Sequence, residues 1–457
     1  MTSHADAVDR YPSVLLDVRC GVGGMTTLVD TASEAGDTGR MVVEQFGGGP
    51  SHSTGDSRGC NTIEWTESEV VVRTSRQNST SLYRWGTPGG DRVLIGSDLA
   101  ELTARVIASE GVGSDLFAQV RTVRRSISKI GGGRTVVFTR GRDGLRVDDT
   151  ETATWRPERV SGETAIAAGR RQLEALRREV LALGDVRPVT AVVSGGVDSG
   201  LVAVLAQQAG ILDHLATLGT PWGDEYAETE ELGACLGLPV QHLVLSEEDI
   251  LRALPAAIRM LGQPDREPVS GAVNLAAVFQ QGQLPRGAVL TGFGADLINS
   301  GHRVESHAVE NISAAVAQRL ADAAGSEEFS GVVAAAHGYT QHHMYWRTGV
   351  IQAAIDTAPE LMRFRDREKG HMRAAAAELL PDGIAWRRKQ ALHHGSGVER
   401  NLDAAIARRV GVDSFDVERF YRFIDVQLVA TLVDSPHERI DSEKCLEAAI
   451  AAYRRHR

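Results

Sequence analysis

The 457-residue chain reads as an α/β protein, with a doubly wound parallel sheet and a helical end in its C-terminal part and a β-rich half before it. Three observations predict this. From Glu163 onward, short apolar runs (PVTAVV, LATLG, LPVQHLVL, RGAVLTG) alternate with helix-period segments, the pattern of strands joined by crossover helices. Between Glu67 and Val147, the runs SEVVVRTS, DRVLIGSD and RTVVFTRGRDGLRV are β-branched and broken by Gly and Asp, as in an antiparallel sheet. Finally, VVSGGVDSG (Val192 to Gly200) ends an apolar run in a Ser-Gly-Gly turn and opens a helix, as a strand does at the carboxyl edge of a parallel sheet.

Taken in order, residues 1–60 hold GVGG and FGGGPSHSTGDSRG with few periodic segments, and predict a mobile glycine-serine loop. ATWRPERVSGE reads as a linker, so two domains are expected, 1–157 and 158–457. ETAIAAGRRQLEALRREVLAL then places Ile166, Leu173, Leu176, Val180 and Leu183 on one helical face. From about Ala308 the pattern is mostly helical, and FYRFIDVQLVATLV predicts a core helix.

The gross numbers exclude several classes. With 49 basic and 60 acidic residues the net charge is −11, which argues against a nucleic-acid partner. No apolar run approaches the roughly 20 residues that span a bilayer, and MTSHADAVDRYPS lacks a secretory pattern. Cys20, Cys60, Cys235 and Cys445 show no CxxC spacing, so neither a zinc knot nor a disulfide framework is expected. A cytoplasmic protein with small-molecule partners and no membrane fits these features, and a homodimer is compatible with them.

The glycine turn carries the chemistry. Ser194, Gly195 and Gly196 would bare backbone N–H groups, and the following helix points its positive end at the same place. Ser194 and Ser199 add hydroxyls. Asp198 would repel phosphates unless a cation lies between, and magnesium resolves that conflict. The plain alternative is a Gly turn with an Asp helix cap, but the full SGGxDS after a strand favours nucleotide binding. A Walker loop is excluded, because GxxxxGK[ST] is missing. The histidine doublets at 342–343 and 393–394 lack HExxH spacing or a cysteine partner, so zinc is not expected there.

SGGVDS resembles the PP-loop of the ATP pyrophosphatase superfamily, and TGFGADLINSG resembles the asparagine synthetase element that supplies a second metal-binding aspartate. GDEYAETEEL resembles that family's segment after the adenine-contacting strand. The resemblance implies ATP contacts at Val193, Ser194, Gly195, Gly196, Asp198, Ser199, Leu218, Gly219 and Gly292, with magnesium on Asp198 and Asp296. EKGHMRAAAAELLPDGIAWRRKQALHHGSG is similar to β-lactam and carbapenam synthetases. That likeness implies that Lys389 stabilises negative charge at the reacting centre and that Lys369 is a phosphate or structural contact in the catalytic set. His393, Gly395 and Ser396 follow Lys389 and, with Asp265 in MLGQPDREPVSG, are candidates for the substrate pocket.

The N-terminal half resembles a decayed Ntn-type glutaminase domain, since position 2 is Thr2 and Cys20 lies in no matching context. The synthetase family implies an ATP-dependent, AMP-forming ligase that adenylates a carboxylate, releases pyrophosphate and lets an amine nitrogen displace AMP, in specialised metabolism. An intermolecular ligase or a lasso-type peptide cyclase would use the same acyl-adenylate, whereas a tRNA-modifying PP-loop enzyme would need a basic face. One departure stands out. In the lactam-forming branch a tyrosine three residues before the second metal aspartate forms a proton-removing dyad with a glutamate. Here Phe293 takes the tyrosine position, and Glu328 falls at the glutamate, with Glu327 adjoining it. A phenyl ring accepts no proton, so Glu328 would act alone or the amine would arrive unprotonated.

Overall fold

A computed structural model describes residues 13–21, 24–29, 39–43, 60–86, 90–142, 144–184, 186–262, 264–301, 308–388, 395–412, 415–435 and 439–456. Among the described residues, ten strands occupy the first part: β1 (Leu15–Gly21), β2 (Gly24–Val29), β3 (Gly39–Val43), β4 (Asn61–Trp65), β5 (Glu69–Arg73), β6 (Leu82–Trp85), β7 (Arg92–Gly96), β8 (Ser128–Ile130), β9 (Arg134–Arg140) and β10 (Leu145–Glu151). They form two antiparallel sheets, β2-β1-β7-β6-β8 and β10-β9-β5-β4-β3. The inner faces close over one core, with Leu16, Val18 and Ile95 of one sheet against Val70, Val72 and Phe138 of the other. Helices Leu99–Glu110 and Leu116–Ser126 cover the outer face of the first sheet, together with the distant helix Val417–Asp434. Strands β1 to β3 correct the expectation of few regular elements before residue 60. LLDVRCG alternates too weakly to declare itself, and it becomes a strand by pairing with β2 and β7. The glycine-serine stretch FGGGPSHSTGDSRG lies outside the described residues, as does Thr2.

The parallel sheet comprises β11 (Val189–Val192), β12 (His214–Gly219), β13 (Val240–Val244), β14 (Ala288–Thr291) and β15 (Thr340–His343), in the order β13-β12-β11-β14-β15. Every neighbouring pair is parallel. Both faces are buried, which is why the central strands read as continuous apolar runs. Val189, Ala191, Val193, Ala288 and Leu290 point into a core shared with helices Ala165–Leu181 and Val197–Gln208. Val192 and Val289 point the other way, toward helices Leu254–Leu261, Arg266–Gln281 and Val417–Asp434. The chain runs outward from β11 to β13 and then crosses back to β14 on the far side of β11. The topological switch point, where ligands bind in such sheets, therefore lies between the ends of β11 and β14.

Two sequence expectations change. Helix Ala165–Leu181 buries Leu173, Leu176 and Val180 as predicted, but Ile166 is exposed and Ala168, Gly169 and Gln172 take its place on the buried face. Strand β15, TQHH, escapes the strand pattern because it is polar, with only Gln341 and His343 buried.

A buried polar loop joins the two regions. Ser75, Gln77, Asn78, Ser79, Thr80 and Ser81 are all buried, and hydrogen bonds from this loop cross to the C-terminal part. Asn78 Nδ2 donates to the Ala324 carbonyl (3.2 Å), and the Gln77 carbonyl accepts from Trp346 Nε1 (3.2 Å). Arg259 Nε meets Asp98 at 2.7 Å in the same interface, both side chains buried.

Gly169 lets helix Ala165–Leu181 approach helix Gly370–Ala376, because a Cβ there would overlap the His371 carbonyl oxygen. Gly169→Ala should therefore destabilise the protein by about 1–3 kcal/mol in urea unfolding, as overpacked contacts do. An unchanged midpoint would mean that the two helices do not depend on this close approach.

Candidate active site

The turn after β11 opens the helix Val197–Gln208, whose N-cap, Gly196, makes no side-chain capping bond. The first-turn N–H groups thus have no side-chain partner from the cap, as an anion-binding helix end requires. Ser199 Oγ accepts from Ser194 N (3.1 Å) and sets the curvature of the loop. Gly195 has φ of +64° and lies against Glu228, where a side chain would collide. A Cβ on Gly196 would find only Ser194 Oγ, at 3.6 Å, and would fill the hollow of the turn. The turn after β14 presses close: a Cβ on Gly292 would sit 2.6 Å from Ser199 N. Val193 and Leu218 bury their side chains in the cores, so only their backbones are available to a ligand.

Asp198 and Asp296 converge from these two turns, each side chain about one-fifth exposed. Between them lies Lys369, wholly buried, with its Nζ 2.6 Å from Asp296 Oδ1 and bonded to Asp198 Oδ2. Burial pulls the ammonium below the usual lysine range while Asp198 pulls it back up. Two carboxylates at such proximity repel each other without a cation, and Lys369 supplies one. The approach is tight: a Cβ on Gly301 would overlap both Asp296 and Lys369. Lys369 holds a left-handed backbone (φ 56°) just before helix Gly370–Ala376. Left-handed backbone is uncommon for lysine and costs on the order of 1–2 kcal/mol.

Lys389, His393 and His394 lie outside the described residues, but both flanks of their segment are fixed. Buried Arg373 donates through Nη1 to the carbonyls of Ala385 (2.9 Å) and Arg387 (2.8 Å). Arg387 reaches back to the cradle, donating to the Gly195 carbonyl (2.7 Å) and pairing with Glu231. On the far side, Gly395 and Ser396 pack on the turn that follows Gly219. Thr220 Oγ1 donates to the Ser396 carbonyl (2.5 Å), and a Cβ on Gly395 would meet Glu225 at 2.6 Å. One flank is thus tied to the end of β11 and the other to the end of β12. Sequence motifs do not single out Arg387 or Arg373, although the RR of WRRKQ is an available signal for the first.

Phe293 is exposed and packs on Phe329 (ring centroids 4.8 Å apart), which stacks on Trp346 (3.9 Å). His343 meets the rings of Phe293 and Phe329, each at 5.4 Å. Burial holds His343 neutral, with its pKa lowered to about 3. Glu327 is committed elsewhere, accepting from Tyr83 Oη (2.6 Å) and Lys129 Nζ (2.9 Å). Glu328 is raised above the usual carboxylate range, first by burial and then by Glu267. Asp265 caps helix Arg266–Gln281 without a side-chain bond and lines a cavity of about 200 Å³ with Tyr83, Lys129 and Glu327. Among the described residues no group of three or more His, Cys, Asp or Glu side chains is placed to hold a metal, and no helix is long and apolar enough to cross a membrane. His342 Nδ1 instead pairs with Arg347 (2.8 Å).

A five-stranded, doubly wound parallel sheet with a glycine turn and two carboxylates at its switch point defines the class: an α/β protein whose turns after β11 and β14 meet where ligands bind in sheets of this kind. The asparagine synthase family model matches residues 173–333 and 330–451, well over half of the chain, and the protein belongs to that family. The carboxyethyl-arginine beta-lactam-synthase of Streptomyces clavuligerus is 30% identical over 249 residues, 53% of this chain and 48% of that protein. The chain thus spans about half the length of this curated relative. Among solved structures, a glutamine phosphoribosylpyrophosphate amidotransferase from B. subtilis, complexed with ADP and GMP, matches at 10% identity over 41% of this chain and 58% of its own, with a TM-score of 0.16. An allosteric regulatory enzyme of purine biosynthesis matches at 9% identity over 41% of this chain and 47% of its own, with a TM-score of 0.15. Scores this low say nothing further about the fold.

Replacing Lys369 by methionine would leave Asp198 and Asp296 facing each other without a counter-charge. Breaking a buried pair in this way costs about 3–5 kcal/mol, and the partial exposure of the carboxylates favours the lower end. Lys369→Met should lose about 3 kcal/mol in denaturant unfolding, with part restored by millimolar magnesium. Stability unchanged within about 0.5 kcal/mol would show that the carboxylates need no ammonium.

Proposed function

We propose that this protein is an ATP-dependent, AMP-forming ligase that adenylates a small carboxylic acid and transfers the acyl group to an amine, in the manner of β-lactam synthetases. The observation that supports it most is the pair Asp198 and Asp296 brought together beside the Ser194–Ser199 cradle at the switch point. The residues fit a magnesium-bound nucleotide: the cradle offers N–H donors to phosphate oxygens, and the carboxylates offer hard oxygen ligands. Magnesium there would offset the charge of the departing pyrophosphate.

In this reading the substrate carboxylate attacks the α-phosphorus, forming an acyl-adenylate as pyrophosphate leaves. Backbone N–H groups of Gly195 and Gly196 hold the phosphates, and the backbones at Leu218 and Gly219 border the adenine. Lys369 keeps the two aspartates in register and its charge faces the phosphates. The nitrogen then attacks the acyl carbon and AMP departs. Lys389, between Arg387 and Ser396, which are tied to the ends of β11 and β12, would stabilise the oxyanion, a role worth about 10²–10³ in rate. Glu328, with a raised proton affinity and none of the partners that hold Glu327, is the group assigned to receive the nitrogen's proton. Gly395, Ser396 and Asp265 would border the substrate.

The ten antiparallel strands are proposed to be a glutaminase-type domain that no longer makes ammonia, with its boundary at 157 and the synthetase domain from 158. Specialised metabolism in the cytoplasm, with small-molecule substrates only, follows from the same reading. An intermolecular ligase is the second reading, favoured by Phe293 in place of the lactam-forming tyrosine.

The test is product analysis with magnesium-ATP across a panel of carboxylates and amines. AMP and pyrophosphate are expected, and Asp296→Asn should lower ATP–pyrophosphate exchange at least tenfold. ADP as the product would overturn the mechanism.

A further inference from the structure

Phe293, at 43%, is the only exposed Phe, Tyr or Trp ring among the described residues. It sits in the turn that carries Asp296, so it borders the site. Its inner side is fixed by Phe329, which stacks on Trp346, and Trp346 Nε1 is held by the Gln77 carbonyl. The result is a rigid apolar wall with one open aromatic face.

Among the described residues, the titratable side chains next to that wall in space or in sequence have other commitments. Phe293 N donates to Thr291 Oγ1 (3.4 Å), and the Thr291 hydroxyl shares a hydrogen bond with His343 Nδ1 (2.7 Å). His343 is buried, and burial lowers its pKa to about 3, so the ring is too weak a base to take a proton from an alkylammonium. Glu327 is bound to Tyr83 and Lys129. Glu328 remains, a carboxyl with Glu267 nearby. A phenol, with a pKa near 10, matches an alkylammonium near 10.4; a carboxyl does not. At pH 7 only roughly one alkylammonium in 2,500 is the free base, so an enzyme without a matched base forfeits about that factor.

We propose that the nucleophile of this enzyme is a weakly basic nitrogen that is neutral at physiological pH (an aryl amine, aryl hydrazine or hydroxylamine) received against the open face of Phe293. The proposal rests on the acyl-adenylate reading above. The lone pair of the neutral nitrogen attacks the acyl carbon and the C–N bond forms. The bond from that carbon to the phosphate oxygen breaks, and its electron pair leaves with AMP. One N–H proton passes to the Glu328 carboxylate and on to water.

The experiment uses the full chain with magnesium-ATP and the carboxylate that best supports ATP–pyrophosphate exchange. Aniline, phenylhydrazine, hydroxylamine and ethylamine are compared as acceptors at pH 7, with mass analysis of the products. Aniline should show saturable turnover, and ethylamine should be used at least 100-fold less efficiently. Phe293→Ala should raise KM for aniline about tenfold or more, with each variant's own exchange rate as its reference for folding. Phe293→Tyr should narrow the gap between ethylamine and aniline. Equal use of ethylamine by the wild type, or an unmoved KM in Phe293→Ala, would overturn the proposal and leave adenylation standing. Exchange with no carboxylate at all would overturn the adenylation reading, and this proposal with it.

Discussion

A single ammonium holds the site together. Lys369 bridges Asp198 and Asp296, and these carboxylates belong to the turns after β11 and β14, the two strands that flank the switch point. Because the lysine is wholly buried, its geometry constrains everything around it. Gly301 must be a glycine for Lys369 and Asp296 to meet, and Gly292 must be one for the two turns to touch. Lys369 itself takes a left-handed backbone, and Gly169 lets the helix behind it seat closely. Close packing at several glycines therefore serves one electrostatic arrangement.

The antiparallel sandwich contributes to the same place from the other side. Its buried loop at residues 75–81 anchors Trp346 through the Gln77 carbonyl, Trp346 supports Phe329, and Phe329 backs Phe293. Glu327 completes the junction through Tyr83 and Lys129. Whatever chemistry it carries, this region has a physical task, which is to stiffen one wall of the site.

Much of this arrangement is legible in the amino-acid sequence. The SGGVDS and GFGAD turns announce themselves because glycine, serine and aspartate after an apolar run have few other uses, and each follows a strand of the parallel sheet. Strands β5, β7, β9 and β10 are visible through their β-branched runs. Strand β15 is not, because TQHH carries no apolar alternation and exists only by pairing with β14. Spacing does not separate Glu327 from Glu328, and partners do: Glu327 is tied into an interface through Tyr83 and Lys129. Arg387 and Arg373 escape notice because an arginine's value lies in the carbonyls it reaches, here 12 to 192 residues away in sequence. Lys369 stands out in its motif, but its position between the aspartates depends on how the helix that follows it is seated.

The most direct check is calorimetric titration with α,β-methylene-ATP, which binds without being cleaved. Wild-type protein should bind it with magnesium present, and affinity should fall at least tenfold when magnesium is withheld or when Asp296 is changed to asparagine. Equal affinity in the wild type and Asp296→Asn, with or without magnesium, would contradict a nucleotide site built on the two bridged aspartates.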